Sequence, residues 1–203
     1  MELELKTRKS SVTRKTEETS VSIKINIDGT GKSKISTSNG MFDHLLSQLS
    51  KHSLIDLTVA VTGDDEVGWH HIVEDTGISL GNALAETIGN AKGIVRMGHA
   101  IVPLDESLAM VAVDVGGRGF TVLNTNLGDS DLGGLSGTLI EHFLDSLARS
   151  SGINIHVNLM YGSNNHHKAE CIFKGLAKSL SYALSQNPRA STDIPSTKGL
   201  LDG

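Results

Sequence analysis

Hydrophobic and polar positions change period several times along this chain, and each change marks an element. Val21, Ile23, Ile25 and Ile27 alternate with polar residues, the two-residue period of a half-buried strand. Asp28-Gly29 then offers a turn before a second short run over 32–38. Phe42, Leu45, Leu46 and Leu49 recur at helical spacing. A strand is expected over 54–61 and a longer helix over 71–88, with Ile72, Leu80, Leu84 and Ile88 on or near one face.

The second half passes through the same kinds of element. Residues 110–115 alternate as a strand, and Gly116-Gly117 follows them as Asp28-Gly29 follows the first strand. Further strands are expected over 120–123 and 153–159, and helices over 139–148 and 168–184, the last stopped near Pro188. The glycine-rich stretch 128–137 reads as a long loop. The tail holds two of the three prolines and reads as an extended end able to dock on a neighbour.

Laid over each other, the halves share more than their periods. Phe42-Asp43-His44-Leu45-Leu46 meets Ile140-Glu141-His142-Phe143-Leu144, and His70-His71-Ile72-Val73-Glu74 meets His166-His167-Lys168-Ala169-Glu170. Glu18, before the first strand, meets Glu106 before its counterpart. From single histidine to pair is 26 residues in the first half (44 to 70) and 24 in the second (142 to 166). Core periodicity repeats everywhere, but it does not place an acid-His dipeptide and then a His-His-x-x-Glu run twice in one order. The chain is read as one domain, residues 1–203, built from two tandem ββαβα repeats over about 14–92 and 102–186, with a tail over 187–203. The fold class is α+β.

Composition narrows the partners. The net charge of -5 has both signs scattered, which argues against a nucleic-acid binder with a basic face. Aromatics are only 3%, so base stacking is excluded as a main mode of binding. The single cysteine, Cys171, forbids an intrachain disulfide and reads as a small buried apolar residue. Residues 1–14 lack the apolar core of a signal peptide, and no apolar run approaches a membrane span. The protein is expected in the cytoplasm.

The histidines carry the chemistry. On a helix, residues four apart share a face, while neighbours point about 100° apart. His70 and Glu74 can therefore reach one ion together, and His71 must aim elsewhere; His166, Glu170 and His167 repeat that geometry. Six histidines and two glutamates divide into two sites of three His and one Glu. Symmetry between the repeats suggests His70, Glu74, His142 and His167 for one, and His166, Glu170, His44 and His71 for the other. Ligand type leaves the metal open among zinc, iron, nickel, copper and manganese. Arg96, Arg118, Lys174 and the run Ser196-Thr197-Lys198 are candidates to hold a phosphate dianion, although no P-loop is present.

Taken together, Glu18-Thr19, Phe42-Asp43-His44 with Ser50-Lys51-His52, His70-His71-Ile72-Val73-Glu74-Asp75, Pro103-Leu104-Asp105-Glu106, Glu141-His142-Phe143, His166-His167-Lys168-Ala169-Glu170 and Ser196-Thr197-Lys198-Gly199 resemble the imidazoleglycerol-phosphate dehydratase family. The resemblance spans about residues 14–201 in the family's order. It implies a β/α sandwich of the ribosomal protein S5 domain 2-like kind, assembled as a 24-subunit homo-oligomer with sites between subunits. It also implies two Mn2+ ions per site and dehydration of D-erythro-imidazole-glycerol phosphate to imidazole-acetol phosphate. Glu18 would do the acid/base work, with Glu106 a weaker candidate. His52 would line the substrate pocket beside His44, His70, His71, Glu74, His166, His167 and Glu170. Arg96, Arg118, Lys174, Ser196, Thr197 and Lys198 would hold the phosphate. Trp69 stands where the family usually has an acid, and Gly116-Gly117-Arg118-Gly119 replaces a more usual Leu-Ser-Gly-Arg-Pro run; no metal ligand is lost. The same ligands would also suit a dinuclear hydrolase of a phosphorylated metabolite. A metal-storage protein would need neither Glu18 nor the cations.

Overall fold

Three strands, a helix, a strand and a helix make up each half of the chain in this computed structural model, which describes residues 8–63 and 65–201. Residues 1–7, part of the stretch read as lacking a signal-peptide core, lie outside the described residues. The first half runs β1 (Lys9–Lys15), β2 (Thr19–Asn26), β3 (Ser33–Ser36), α1 (Gly40–Ser53), β4 (Asp56–Gly63) and α2 (His70–Ile88). The second runs β5 (Met97–Leu104), β6 (Ser107–Val115), β7 (Phe120–Asn124), α3 (Gly137–Ser151), β8 (Ile153–Tyr161) and α4 (Asn165–Ala183). Their sheets have matching orders, β1-β2-β4-β3 and β5-β6-β8-β7. In both, the short third strand pairs parallel with the fourth while the other pairings are antiparallel.

The repeat is thus βββαβα rather than ββαβα, its first strands being Lys9–Lys15 and Met97–Leu104. The missed strands are edges. β1 contains one apolar residue, Val12, and alternates only between exposed and half-buried positions. Such an edge strand has no need of the apolar alternation that betrays a central strand; β5 is more apolar, but its run lacks a clean alternation and is broken by Gly98 and Pro103.

Each half's helices pack on that half's sheet and meet the helices of the other half. α2 packs on β1 and β2, α4 on β5 and β6, α1 on β3, and α3 on β7 and β8; across the halves α2 packs on α3 and α1 on α4. Apolar residues from both halves form a single core. Phe143 joins them at its centre, edge-on to Phe42 at 5.3 Å and stacked on Phe173 at 5.7 Å, geometries aromatic quadrupoles favour. Cys171 is fully buried there, as the sequence implied.

The α2–α3 contact is unusually close because Gly77 and Gly81 share one face of α2. A Cβ on Gly81 would lie 2.6 Å from Ser150 Cβ and 2.8 Å from the Leu147 carbonyl; one on Gly77 would lie 2.9 Å from Ser146 Cβ. Two glycines four residues apart let the backbones approach, which sets the helices' lateral position.

The tail, read as an extended end able to dock on a neighbour, is fastened to its own chain over the described residues. Asn187 N–H donates to the Gly93 carbonyl at 2.8 Å, and Gly93 N–H donates to the Asp193 carbonyl at 2.9 Å. No helix among the described residues is long and apolar enough to cross a membrane.

Candidate active site

Asn39 caps α1, its side chain accepting from the Phe42 amide at 2.9 Å. Asp43 ties the preceding loop to the helix by accepting from the Thr37 amide (2.8 Å) and hydroxyl (2.6 Å). His44 therefore leaves a fixed first turn. Glu141 plays the same part in α3 by accepting from the Thr125 hydroxyl. The acid of each acid-His pair thus braces a helix start and leaves its histidine facing the site. Asn164 caps α4, accepting from the amides of His166 and His167 at 2.9 and 3.3 Å. Trp69 precedes α2, makes no side-chain cap, and packs against the core.

Two groups of ligand-type side chains form, each drawn from both halves: His44 with His166 and Glu170, and His70 and Glu74 with His142. In the first, Nε2 of His44 and Nε2 of His166 approach one oxygen, Glu170 Oε1, at 2.9 and 2.8 Å. The other oxygen, Oε2, accepts from Lys174 Nζ at 2.6 Å. Burial pushes the Glu170 carboxyl up, but the bonds from Lys174, His44 and His166 outweigh it and hold it down at about 2. In the second group the His70 and His142 rings stack at 4.6 Å. His142 Nε2 is buried, has no hydrogen-bond partner among the described residues, and lies 3.4 Å from Glu74 Oε1. A buried nitrogen aimed at a carboxylate without bonding it is an arrangement that a bound cation would satisfy. Ligand atoms around an octahedral ion of this size sit about 3 Å apart, so the donor sets and spacings fit a divalent metal.

Neither His71 nor His167 joins a group within the described chain, so the expected four-residue sets are not assembled by one copy. Helix geometry explains this: the paired rings are turned 90° apart for His70 and His71, and 80° for His166 and His167. His71 Nε2 stands 3.7 Å from Glu18 Oε1. Glu18 is held there through its neighbour, because Thr19 donates its hydroxyl to buried Asp75, which also accepts from Arg14 Nε at 2.8 Å. His167 Nδ1 stands 2.7 Å from Glu106 Oε2. Hydrogen bonds from His167 and then from the Asn164 amide hold the Glu106 carboxyl far below its ordinary range, and Glu106 in turn pushes His167 up.

His52 bonds through Nε2 to Gln48 Oε1 at 2.9 Å, one helical turn from His44. Burial, then Lys174 and Lys178, push His52 below its ordinary value.

A separate cavity of about 560 Å³ is lined by Arg96, Gly116, Arg118, Ser196, Thr197 and Lys198, among others. These are the expected phosphate residues except Lys174, which stays with Glu170. Arg96 is itself engaged: Nε and Nη2 donate to Asp114 at 2.7 and 3.1 Å, and Nη1 donates to the Pro195 carbonyl at 2.7 Å. That pair fastens the tail over the pocket and raises the guanidinium's already high pKa. Gln48, Asp75, Asp114 and Asn164 escaped sequence reasoning. Of these, Asn164 had the visible signal, a capping residue ahead of a helix.

A family model described as imidazoleglycerol-phosphate dehydratase matches residues 37–180. Similar proteins under that name come from Dehalococcoides mccartyi (strain CBDB1), 47% identical over 195 residues and covering 96% of this chain and 98% of the relative. Another comes from Agrobacterium fabrum, 47% identical over 194 residues with the same coverage. Among solved structures, imidazoleglycerol-phosphate dehydratase of Staphylococcus aureus superposes with a TM-score of 0.80 at 33% identity, covering 88% of this chain and 99% of that one. The Pyrococcus furiosus enzyme in complex with (S)-C348 gives the same TM-score and identity, covering 94% and 100%.

Proposed function

The chain belongs to the imidazoleglycerol-phosphate dehydratase family, and from that premise we propose how its residues divide the dehydration of D-erythro-imidazole-glycerol phosphate to imidazole-acetol phosphate, a hydro-lyase step of histidine biosynthesis. The observation that carries the assignment is the pair of His, His and Glu groups, each built from both repeats.

His44, His166 and Glu170 would hold one metal ion and His70, Glu74 and His142 a second. Imidazoles mixed with a carboxylate admit Mn2+ along with zinc, iron, nickel and copper; the family resemblance favours Mn2+, and His71 and His167 would serve as fourth ligands to groups of neighbouring copies. When bound, the metal supplies a Lewis acid for the imidazole ring, the only electron sink beside the carbon that loses a proton.

Glu18 takes that proton. Its carboxylate is half exposed beside His71, and the Thr19–Asp75 bond fixes the strand that carries it. The proton leaves with the departing hydroxyl as water, and the resulting enol becomes the ketone by tautomerisation. Arg96, Arg118, Ser196, Thr197 and Lys198 bind the phosphate. Lys174 and His52 face the substrate beside the Glu170 group.

One chain cannot do this alone. His166 and Glu170 lie at the start of α4, whereas the Arg96 amide bonds the Ala183 carbonyl at its far end. Ala183 follows Glu170 by 13 residues along the helix, about 20 Å at 1.5 Å per residue. An imidazole, three carbons and a phosphate do not span that distance. A composite site between copies brings the two ends together, and a 24-subunit shell is the assembly we favour. We place the enzyme in the cytoplasm, where its one buried thiol needs no oxidising partner.

The test is turnover of imidazole-glycerol phosphate by chelator-stripped protein before and after adding Mn2+. Activity that appears only with metal supports the reading. Folded, metal-loaded protein that leaves this substrate intact but releases phosphate from esters would favour the hydrolase instead.

A further inference from the structure

Glu18 and Glu106 hold corresponding places before β2 and β6, and each faces the second histidine of a pair, yet their surroundings have diverged. Glu18 has a side chain 54% exposed, with Oε1 3.7 Å from His71 Nε2. Glu106 is saturated. Its Oε1 accepts from the amides of Ser163 and Asn164 at 3.1 and 2.7 Å and from the Ser107 hydroxyl at 3.0 Å. Its Oε2 receives His167 Nδ1 at 2.7 Å.

We propose that Glu106 is a positioning residue that keeps the ring proton of His167 on Nδ1 and so presents Nε2 as the nitrogen that ligates metal. The inference rests on the reading of His167 as a ligand. A neutral imidazole carries one N–H, and whichever nitrogen donates leaves the other with the lone pair. Glu106 at hydrogen-bond distance from Nδ1 outcompetes Asp105, whose Oδ2 stands 3.7 Å from Nε2; it sets that choice and the ring's orientation, and it makes the ligating nitrogen more basic. Glu106 is in turn immobilised by two consecutive amides just ahead of α4, the second belonging to the residue whose side chain caps that helix. Strand start, loop and histidine therefore form one rigid unit. With both oxygens engaged, Glu106 is not an available base, and the duplicated glutamates have divided the labour: Glu18 moves the proton and Glu106 holds a ligand.

Glu106→Gln is a sharp probe because the amide keeps the size but has one acceptor oxygen. The Ser163 and Asn164 amides claim that oxygen. The new NH2 then faces Nδ1, which must accept, and the ring proton moves to Nε2.

Calorimetric titration of metal-stripped, full-length protein with Mn2+ reads the result. In Glu106→Gln one class of site should weaken about 10- to 100-fold while the remainder keeps its affinity. Glu18→Gln should leave all Mn2+ affinities unchanged and lose turnover. His167→Ala should weaken the same class as Glu106→Gln, and the double variant should lose nothing more. Wild-type affinity in Glu106→Gln, or additive losses in the double variant, would overturn the proposal. If His167→Ala itself binds Mn2+ normally, the ligand reading fails and takes this inference with it. If Glu106→Gln does not fold, Glu106→Asp serves: it keeps a carboxylate for the amides, withdraws it from Nδ1, and should give the same selective weakening, whose absence refutes the role.

Discussion

The imidazole rings of His70 and His142 stack with centroids 4.6 Å apart and planes 26° from parallel, although one residue comes from each repeat. Nothing local brings them together; the α2–α3 contact does. His44 and His166 repeat the relationship across α1 and α4 at 5.6 Å and 29°. Each group can therefore be attacked from either half of the chain.

Removing a ligand should cost more than removing a group behind it. His142→Ala is expected to weaken Mn2+ binding by more than about 100-fold and to lower turnover in parallel, since even outer partners of ligands are worth about 10- to 100-fold. Titration of stripped protein measures it. Unchanged affinity would remove His142 from the ligand set.

Glu18→Gln keeps the shape of the proton carrier and removes its basicity. Turnover should fall about 100- to 10,000-fold with substrate affinity little changed. Steady-state kinetics at saturating Mn2+ would show this as a loss in kcat rather than a rise in KM.

Asp114→Asn should act on substrate binding. It breaks the charged, two-pronged contact that holds Arg96 against the tail, an interaction worth about 1.5–3 kcal/mol. KM should rise on the order of 10-fold with kcat near wild type, and the segment 187–201 should become more sensitive to protease. A fall in kcat alone would contradict the assignment of the pocket.

Gly81→Val should drive α2 off α3, because even a Cβ at that position meets Ser150 and the Leu147 carbonyl. A loss of about 1–3 kcal/mol is expected, read as a lower melting temperature, together with weaker Mn2+ binding as His70 and Glu74 move away from His142. A variant with wild-type melting would show that the helices have room to spare.

Asp56 links stability to pH. Bonds from the Lys32 and Thr30 amides hold its carboxyl below the ordinary 3.8. A depressed pKa stabilises the folded state above 3.8, and that contribution is lost as pH falls through the lower folded value. Asp56→Ala should cost about 1–2 kcal/mol near neutral pH, and the gap from wild type should shrink progressively below pH 3.8. Thermal melts of both proteins at neutral and acid pH test the sign.

Much of the site was legible because its grammar is local. A helix puts residues four apart on one face, so His70 with Glu74, and His166 with Glu170, could be paired from spacing alone. Their duplication separated them from chance. Edge strand β1 was illegible, since an exposed edge needs no apolar alternation; β5 is an apolar run without clean alternation and carries Gly98 and Pro103. The ion pair of Lys174 with Glu170 was not legible: an isolated cation in a sequence does not reveal that a glutamate four residues earlier contacts it.

The sequence by itself determined that the chain is a duplicated α+β unit carrying two sets of side chains of metal-ligand type, and which positions carry them. That information lies in periodicity and in short spacings, which the backbone translates directly into faces. Only the tertiary structure decided how close the partners from opposite repeats come, that His71 and His167 turn away from the groups in their own chain, and that two matching glutamates have different surroundings. Those outcomes depend on the glycine-lined approach of α2 to α3, on helix starts, and on amides beyond the motif, and such long-range packing leaves no periodic trace along the chain.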